Sequence, residues 1–325
     1  MLAIILVCKS EEANPEIISW NTFGSKSLSH AEWQKQVLEF WTPARMRKAK
    51  PMEVLRKNIT FTQSSEKSFF HVLPNTNGPL TLIEPRAPDN ITFRNRLIGL
   101  IPKSRITVGK LFFIVPGGYA TCSASVVTSA TMSLVVTAAH CLLDHTTRTW
   151  FYNWIFVPAY SNGVAPLGRW VAIGATLLKA YYNTVGISPN HNYDVGFLII
   201  LPQSWIKIAQ VTGSQGLKFN APRKKLTYSA GYPQNIANGE ILSSCTSVAT
   251  VAPCRVPGYI GQAIQCGMGH GCSGGPWIVD FIGATGLGFV NSVNSFGCVR
   301  APNKLHGPFF EKNILALYNF ANTKL

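Results

Sequence analysis

Residues 269–277 read GHGCSGGPW, and this is the most informative stretch of the sequence. Glycines on both sides of Ser273 allow backbone angles that expose a serine hydroxyl and aim successive N–H groups at one point, as an oxyanion hole requires. A flexible glycine loop is the alternative interpretation. However, Pro276 and Trp277 lead directly into a β-rich run. The stretch therefore predicts a nucleophilic serine on a tight turn before a strand.

Two further segments supply side chains that would activate such a serine. Residues 135–141 read VVTAAHC, a β-rich run that breaks into small residues and presents His140, whose imidazole suits proton transfer near neutral pH. Residues 192–200 read NYDVGFLII, so that Asp194 begins the most apolar run of the chain. A buried carboxylate needs a partner, and a histidine N–H is a fitting one. Alone, each could be a core histidine or a turn aspartate; together, the three segments favour catalysis.

The surroundings of these segments are β-rich. From residue 106 onward, short apolar or alternating runs are bounded by Gly, Pro and Asn, with no helical pattern between them. The runs are 108–115, 123–127, 134–138, 154–157, 170–173, 195–201, 225–230, 276–281 and 286–293. They predict an all-β protein built as an antiparallel barrel or sandwich rather than βαβ units. Residues 311–320 (EKNILALYNF) have helical spacing and predict one C-terminal helix packed on the barrels.

The first hundred residues lack this strand pattern. Residues 31–41 (AEWQKQVLEFW) have apolar residues at helical spacing, and a stretch rich in Pro, Asn and Thr follows. Residues 1–7 are apolar and end at Cys8, but no basic residue precedes them and no A-x-A site follows. They form either an atypical secretory signal or no signal at all. We expect residues 1–100 to be a leader and an irregular pro-segment, and residues 101–325 to be the functional domain.

Composition and charge exclude several classes of protein. The 325 residues are 46% hydrophobic and 13% charged, unlike a disordered tail protein. No apolar run approaches the ~20 residues that a membrane-spanning helix needs. Residues 1–100 carry 13 Lys and Arg against 9 Asp and Glu, whereas residues 101–325 carry 16 against 5. This excess positive charge serves solubility or attracts polyanionic partners. The sequence has no nucleic-acid-binding motif.

The segments TAAHC (137–141), YDVGFLII (193–200) and GCSGGPW (271–277) resemble, in this order, the His, Asp and Ser motifs of chymotrypsin-fold serine peptidases. The stretches VGKLFFIVPGG, TCSASVVTSA and IFVPAYSNGVAPLGRW are similar to the glutamyl-endopeptidase-like branch of bacteria and fungi. The resemblance covers roughly residues 105–320. It implies two six-stranded antiparallel β-barrels. It also implies a secreted, monomeric serine endopeptidase that acts on proteins or peptides without a cofactor or metal ion.

The resemblance assigns roles to particular residues. Ser273 would be the nucleophile, His140 the general base and then acid, and Asp194 the carboxylate that orients the histidine. The oxyanion hole would consist of the backbone N–H groups of Gly271 and Ser273. In digestive relatives an aspartate before the nucleophile captures the freed N-terminus. Here Cys272 occupies that position, so we expect this activation switch to be absent.

A specificity pocket is also implied beside the serine. Gly267, six residues before Ser273, would form its floor, which argues against a preference for Arg or Lys. The strand that pairs with the substrate backbone would consist of Ser292, Val293 and Asn294. Glutamyl endopeptidases place a histidine on this strand, whereas residues 289–293 read FVNSV. The side chain preferred at the cleaved bond therefore stays open.

The eight cysteines include no C-x-x-C pair, which favours disulfides over zinc. The resemblance implies one disulfide between Cys122 and Cys141. For the others we expect Cys272 to pair with Cys298 and Cys245 with Cys266, which leaves Cys254 over. If residues 1–8 are removed as a signal, Cys8 is lost with them.

Three other interpretations compete with a peptidase. Residues 271–275 also fit the G-x-S-x-G nucleophile elbow of α/β hydrolases, and Asp280 and His306 follow in the right order. That elbow needs a helix after the serine, and the β-branched run there argues against one. Cys141 as a nucleophile would point away from its neighbour His140. The more serious alternative is a weakly active or inactive protein of the same fold that binds polyanions through its basic surface.

Overall fold

The computed structural model describes residues 17–21, 29–52, 78–89, 101–183, 190–254, 256, 258–299 and 301–325. The predicted all-β fold with a C-terminal helix is confirmed. Among the described residues, no helix has both the length and the apolar character needed to cross a bilayer. Residues 108–200 build most of one β-rich half and residues 216–307 most of the other, and the helix α5 (Lys312–Ala321) follows them.

The first half is a closed six-stranded antiparallel barrel in the order β10-β11-β6-β5-β4-β9, with β9 paired to β10. Its strands are β4 (Val108–Val115), β5 (Gly118–Val127), β6 (Leu134–Thr137), β9 (Tyr152–Pro158), β10 (Trp170–Leu178) and β11 (Gly196–Ile200). A small hairpin, β7 (Leu143–Asp144) and β8 (Thr149–Trp150), projects from it. Every residue of β4, β6, β10 and β11 is buried, because the barrel core covers one face and other elements cover the second.

Part of that cover comes from the N-terminal segment. It contains β1 (Ile17–Asn21), α1 (His30–Phe40), α2 (Pro43–Lys48) and β2 (Lys50–Pro51). The helix predicted over residues 31–41 is therefore present. β1 pairs with β10, and β2 pairs with β5. Two buried indoles fasten the helices, since Trp33 Nε1 donates to Ala172 O at 3.3 Å and Trp41 Nε1 to Asn153 O at 2.6 Å. The division of the chain near residue 100 stays a prediction.

The second half consists of two sheets. The six-stranded sheet has the order β14-β13-β17-β18-β12-β3, with strands β3 (Thr81–Ile83), β12 (Gly216–Phe219), β13 (Leu226–Gly231), β14 (Ser243–Val248), β17 (Pro276–Ile282) and β18 (Leu287–Val293). β12 and β18 run parallel, a departure from the antiparallel prediction. The four-stranded sheet has the order β15-β16-β20-β19, with strands β15 (Thr250–Val251), β16 (Gln262–Gln265), β19 (Phe296–Cys298) and β20 (Ala301–Gly307). The short helix α3 (Lys103–Ile106) precedes β4, and the short helix α4 (Ile208–Thr212) connects β11 of the first half to β12 of the second.

The described part of the chain contains three disulfides. Cys122 is bonded to Cys141 and Cys245 to Cys266, as expected from the sequence. The third joins Cys254 to Cys298, so the expected pair of Cys272 and Cys298 is wrong. Cys298 lies on an edge strand within 6.1 Å, Cα to Cα, of Cys254. Cys272 instead packs in a small apolar cluster with Trp277 and Leu305. Cys8 lies outside the described residues.

Candidate active site

His140 and Asp194 come together because their strands are neighbours. β6 and β11 are antiparallel, with Thr137 opposite Gly196, so the end of one strand lies beside the start of the other. His140 occupies a 3₁₀ turn just after β6, and Asp194 follows a 3₁₀ turn just before β11. The local breaks that the sequence shows at these two points thus place both side chains at the same rim of the first barrel.

The two side chains form a buried pair. His140 Nδ1 lies 2.8 Å from Asp194 Oδ2, and the backbone N–H of His140 donates to Asp194 Oδ1 at 2.9 Å. Ser295 Oγ also donates to Asp194 Oδ2, at 2.5 Å. A carboxylate only accepts hydrogen bonds, so the imidazole proton is held on Nδ1 and the lone pair lies on Nε2. This is the tautomer that a general base needs.

The charge of this site is fixed by its surroundings. Burial by itself raises the pKa of Asp194, but the positive charge of protonated His140 and the hydrogen bonds from His140 and Ser295 outweigh burial. The net result is a pKa lowered to about 2. Asp194 is therefore ionised at every pH near neutrality, and it stabilises a positive charge on the neighbouring ring.

Ser273 belongs to the second half, and its loop contacts the turn of the first half that carries His140. Its carbonyl accepts a hydrogen bond from Ser123 N at 2.7 Å and lies 3.9 Å from Cys141 Sγ, next to the histidine. The following Gly274 has φ +79° and packs so closely that a Cβ there would lie 2.8 Å from Ala138 N. The serine loop is therefore pressed against the turn that carries His140.

Close packing and hydrogen bonds fix the backbone of this serine loop. Gly271 has φ +93°, and a Cβ on it would lie 2.6 Å from Tyr232 O, so only glycine fits. His270 O accepts from Gln234 N at 2.7 Å, and Cys272 O accepts from Gly275 N at 3.0 Å. The C=O and N–H of a trans peptide point in opposite directions. Fixing these two carbonyls therefore fixes the N–H groups of the residues that follow them, Gly271 and Ser273.

A cavity of about 390 Å³ opens beside Ser273. Its walls come from residues 266–270, from residues 294–298 and from β20. Gly267 lines it, and Asn303 Oδ1 lies 3.9 Å from the position of a Cβ on Gly267, whose role as the floor of a specificity pocket stays a prediction. Among the residues that the structure describes, the lining includes one Lys, Lys304, and no Asp or Glu. None of them therefore supplies the carboxylate that would select a basic side chain.

The predicted substrate strand is displaced in register. Ser292 and Val293 pair with β17, are fully buried and do not line the cavity. Asn294 lines it, but its backbone N–H and C=O bond Gly275 and Gly274 rather than an incoming chain. The accessible strand begins further on, because β19 is the edge of the four-stranded sheet and lines the cavity. The change of sheet between β18 and β19 has no mark in the hydrophobic pattern.

The competing site residues lie elsewhere. Asp280 bonds Lys218 Nζ at 2.6 Å on the surface, whereas His306 is buried and stacked on Phe296. They do not form the acid and base of an α/β-hydrolase site. Potential ligand atoms of Cys122, His140 and Cys141 lie within 4.8 Å of one another. Both sulfurs belong to a disulfide, so they do not provide thiolates for a metal ion.

Comparison with known proteins agrees with this geometry. The protease Anisep from Arthrobacter nicotinovorans is 37% identical, with a TM-score of 0.61, over 67% of this chain and 96% of its own. The serine protease AL20 from an extremophilic microorganism is 33% identical, with a TM-score of 0.61, over 69% of this chain and 100% of its own. A Glu endopeptidase shares the fold at 13% identity, with a TM-score of 0.53, over 74% of this chain and 98% of its own.

No protein-family model matches the sequence, and no curated protein does. Anisep and AL20 nevertheless match this chain over 96% and 100% of their own lengths. The chain belongs to the chymotrypsin-fold serine proteases. It is a serine endopeptidase.

Proposed function

We propose that this protein is a secreted serine endopeptidase that cleaves peptide bonds through Ser273, His140 and Asp194 and an acyl-enzyme intermediate. The observation that carries the proposal is the buried pair of His140 and Asp194, 2.8 Å apart, against which the glycine loop of Ser273 is packed. Three disulfides support secretion, because disulfides persist in oxidising compartments.

The reaction follows from the chemistry of these groups. Ser273 Oγ attacks the scissile carbonyl while His140 Nε2 takes the hydroxyl proton. Asp194 stabilises the imidazolium that results, and the backbone N–H groups of Gly271 and Ser273 bind the oxyanion. Transfer of the proton to the leaving amine gives the acyl-enzyme. Water then attacks the ester with His140 again as the base, and the peptide acid leaves.

Substrate binding uses the edge strand and the cavity. The N–H and C=O groups on the outer edge of β19 would pair with an extended peptide, as edge strands commonly do. The side chain before the scissile bond would enter the cavity next to Gly267. The enzyme would act as a monomer without a cofactor. Binding of polyanions by an inactive form is not favoured, because it leaves the buried pair of His140 and Asp194 without a role.

A fluorophosphonate probe tests the proposal. The purified protein should be labelled at Ser273, as located by peptide mass spectrometry. Labelling should be lost in Ser273→Ala and strongly slowed in His140→Ala, since the probe needs an activated hydroxyl. Ser292→Ala is a matched control, because this serine is buried and bonds Pro308 O. Folded protein that never reacts at Ser273 would refute the peptidase mechanism.

The leader and pro-segment are proposed to end near residue 100. Because β1 pairs with β10 and β3 with β12, a chain cut at that point would keep its N-terminal part bound to the barrels until the strands separate. N-terminal sequencing of the active form by mass spectrometry decides the point. A new N-terminus between residues 86 and 105 is expected, and an active chain beginning at residue 9 would contradict the division.

A further inference from the structure

Asn294 is buried between the sheet of the second half and the serine loop. Asn294 is 0% exposed, and both polar atoms of its side chain have hydrogen-bond partners. Asn294 Oδ1 accepts from Ser229 Oγ at 2.8 Å and from Trp277 Nε1 at 2.7 Å. Ser229 and Trp277 are opposite each other on β13 and β17, so this end of the amide is anchored to two neighbouring strands.

The other end of the amide holds the loop. Asn294 Nδ2 donates to Cys272 O at 3.0 Å and lies 3.4 Å from Ala230 O. Cys272 O belongs to the peptide whose N–H is that of Ser273, so the bond sets the direction of that N–H. The Asn294 backbone adds two bonds, since it accepts from Gly274 N and donates to Gly275 O, each at 2.8 Å.

We propose that Asn294 is a positioning residue whose buried carboxamide holds Cys272 O, and through it the Ser273 N–H, in the orientation that binds the oxyanion. The inference rests on the proposed function, in which that N–H is one of two oxyanion donors. It also accounts for Cys272 at this position. A thiol does not bind a terminal ammonium as a carboxylate does, and here the sheet orders the loop from within through an amide.

Replacement by an apolar side chain of similar size tests the role. In Asn294→Leu the loop loses its amide donor, so we expect kcat to fall about 10- to 100-fold, short of the 10²- to 10³-fold loss for a whole oxyanion donor. KM should stay within about threefold, because both polar atoms of the amide are bonded within the fold. Affinity for a peptide aldehyde, whose hemiacetal oxygen occupies the oxyanion hole, should fall together with kcat/KM.

Asn291→Leu is the matched control. Asn291 lies on β18, is also buried, and its Oδ1 has no hydrogen-bond partner within the part of the chain that the structure describes. It should keep wild-type kcat, and its melting temperature should fall less than that of Asn294→Leu, because its Oδ1 gives up no hydrogen bond. If both variants lose activity only in proportion to unfolded protein, or if folded Asn294→Leu keeps wild-type kcat, the positioning role is refuted.

Asn294→Asp keeps the volume and the two accepted bonds, and it serves if the leucine variant does not fold. An ionised carboxylate does not donate to Cys272 O, whereas its acid form does. We therefore expect kcat at pH 9 to be at least about tenfold below wild type, with the deficit shrinking toward pH 6. Wild-type kcat at pH 9, with infrared spectra that show the introduced carboxyl ionised, would overturn the inference. Fluorophosphonate labelling of the wild type separates the two claims, because absent labelling refutes the proposed mechanism itself.

Discussion

The two halves of the molecule hold their parts of the site in different ways. The first is a closed barrel, and it contributes two side chains, His140 and Asp194, at the paired ends of β6 and β11. The second consists of two sheets joined by loops and by the disulfide from Cys245 to Cys266, and it contributes Ser273, the backbone of its loop and the cavity. A charged pair is thus built on strand ends, whereas the proposed backbone donors lie in a glycine-rich loop that hydrogen bonds hold in place.

This difference predicts where each half fails. In the first half the sensitive feature is a buried charge, because removing one partner leaves the other unpaired. In the second half it is backbone geometry, because the proposed donors are N–H groups that no side-chain substitution removes directly. Two kinds of substitution therefore distinguish the halves. One removes a charge while keeping the side-chain volume, and the other restricts the backbone while adding only a methyl group.

The largest effect is expected from Asp194→Asn in the first half. The amide keeps the volume but presents an N–H to the imidazole, which favours the wrong tautomer, so kcat should fall about 10⁴-fold. Steady-state hydrolysis of a peptide substrate measures it. Asp280→Asn is the control, because that carboxylate lies on the surface with Lys218 and should leave kcat unchanged. A loss of less than tenfold at Asp194 would contradict the role of the pair.

Gly271→Ala tests the second half through the backbone. A Cβ would approach Tyr232 O to 2.6 Å at a φ of +93°, so the loop must shift and misplace its N–H groups. We expect kcat to fall about 10²- to 10³-fold, the cost of one oxyanion donor. The same change at Gly283, where a Cβ meets nothing within 4 Å, is the control. Equal activities of the two variants would show that the loop does not carry the donors.

The disulfides sharpen the comparison through stability. The bond from Cys254 to Cys298 closes 44 residues of the second half, and that from Cys122 to Cys141 closes 19 of the first. Loop-closure entropy then predicts losses of about 4 and about 3 kcal/mol in the free energy of unfolding for the two double Cys→Ser variants. Denaturant titration measures both. Midpoints that match wild type would contradict the contribution of these bonds.

The smallest expected effect is a pH dependence of folding stability that arises from His191, at a contact between the two halves. His191, before β11, packs its ring on Phe296 of β19 with centroids 4.3 Å apart. Burial, together with the charges of nearby histidines, lowers the pKa of His191 to about 4, although Asp194 opposes this. The unfolded chain therefore binds a proton that the folded chain does not, and stability falls as the pH drops from about 6.5 toward 4.

His191→Phe keeps the ring contact and removes this proton. Its melting temperature should decrease less than that of the wild type between pH 7 and pH 4.5. His30→Phe, at an exposed position on α1, is the control and should decrease as the wild type does. Identical decreases in all three proteins would exclude His191 as a source of acid sensitivity.

More of the first half than of the second could be predicted from the sequence. The β-rich runs ending near His140 and beginning at Asp194 are local signals, and pairing of their strands brings the two residues together. The cavity depends on a change of sheet between Val293 and Phe296, which the hydrophobic pattern does not mark. For this reason the predicted substrate strand at Ser292 and Val293 is displaced in register, and the sequence gives no signal for the bond of Ser295 to Asp194.

The N-terminal segment shows the same limit. The spacing of apolar residues predicts the helix α1, but nothing in residues 17–21 indicates that they pair with β10, more than 150 residues away. Disulfide connectivity is equally non-local. Cys272 is buried in an apolar cluster, whereas Cys298 on β19 is bonded to Cys254, which follows β15.

Pre-steady-state hydrolysis of a p-nitrophenyl ester tests the central claim most directly, because an acyl-enzyme on Ser273 releases one p-nitrophenol before turnover begins. We expect a burst equal to the concentration of folded chain. The burst should be absent in Ser273→Ala and slowed by several orders of magnitude in His140→Ala. Linear release by active wild-type protein, or a burst that persists in Ser273→Ala, would contradict the covalent mechanism.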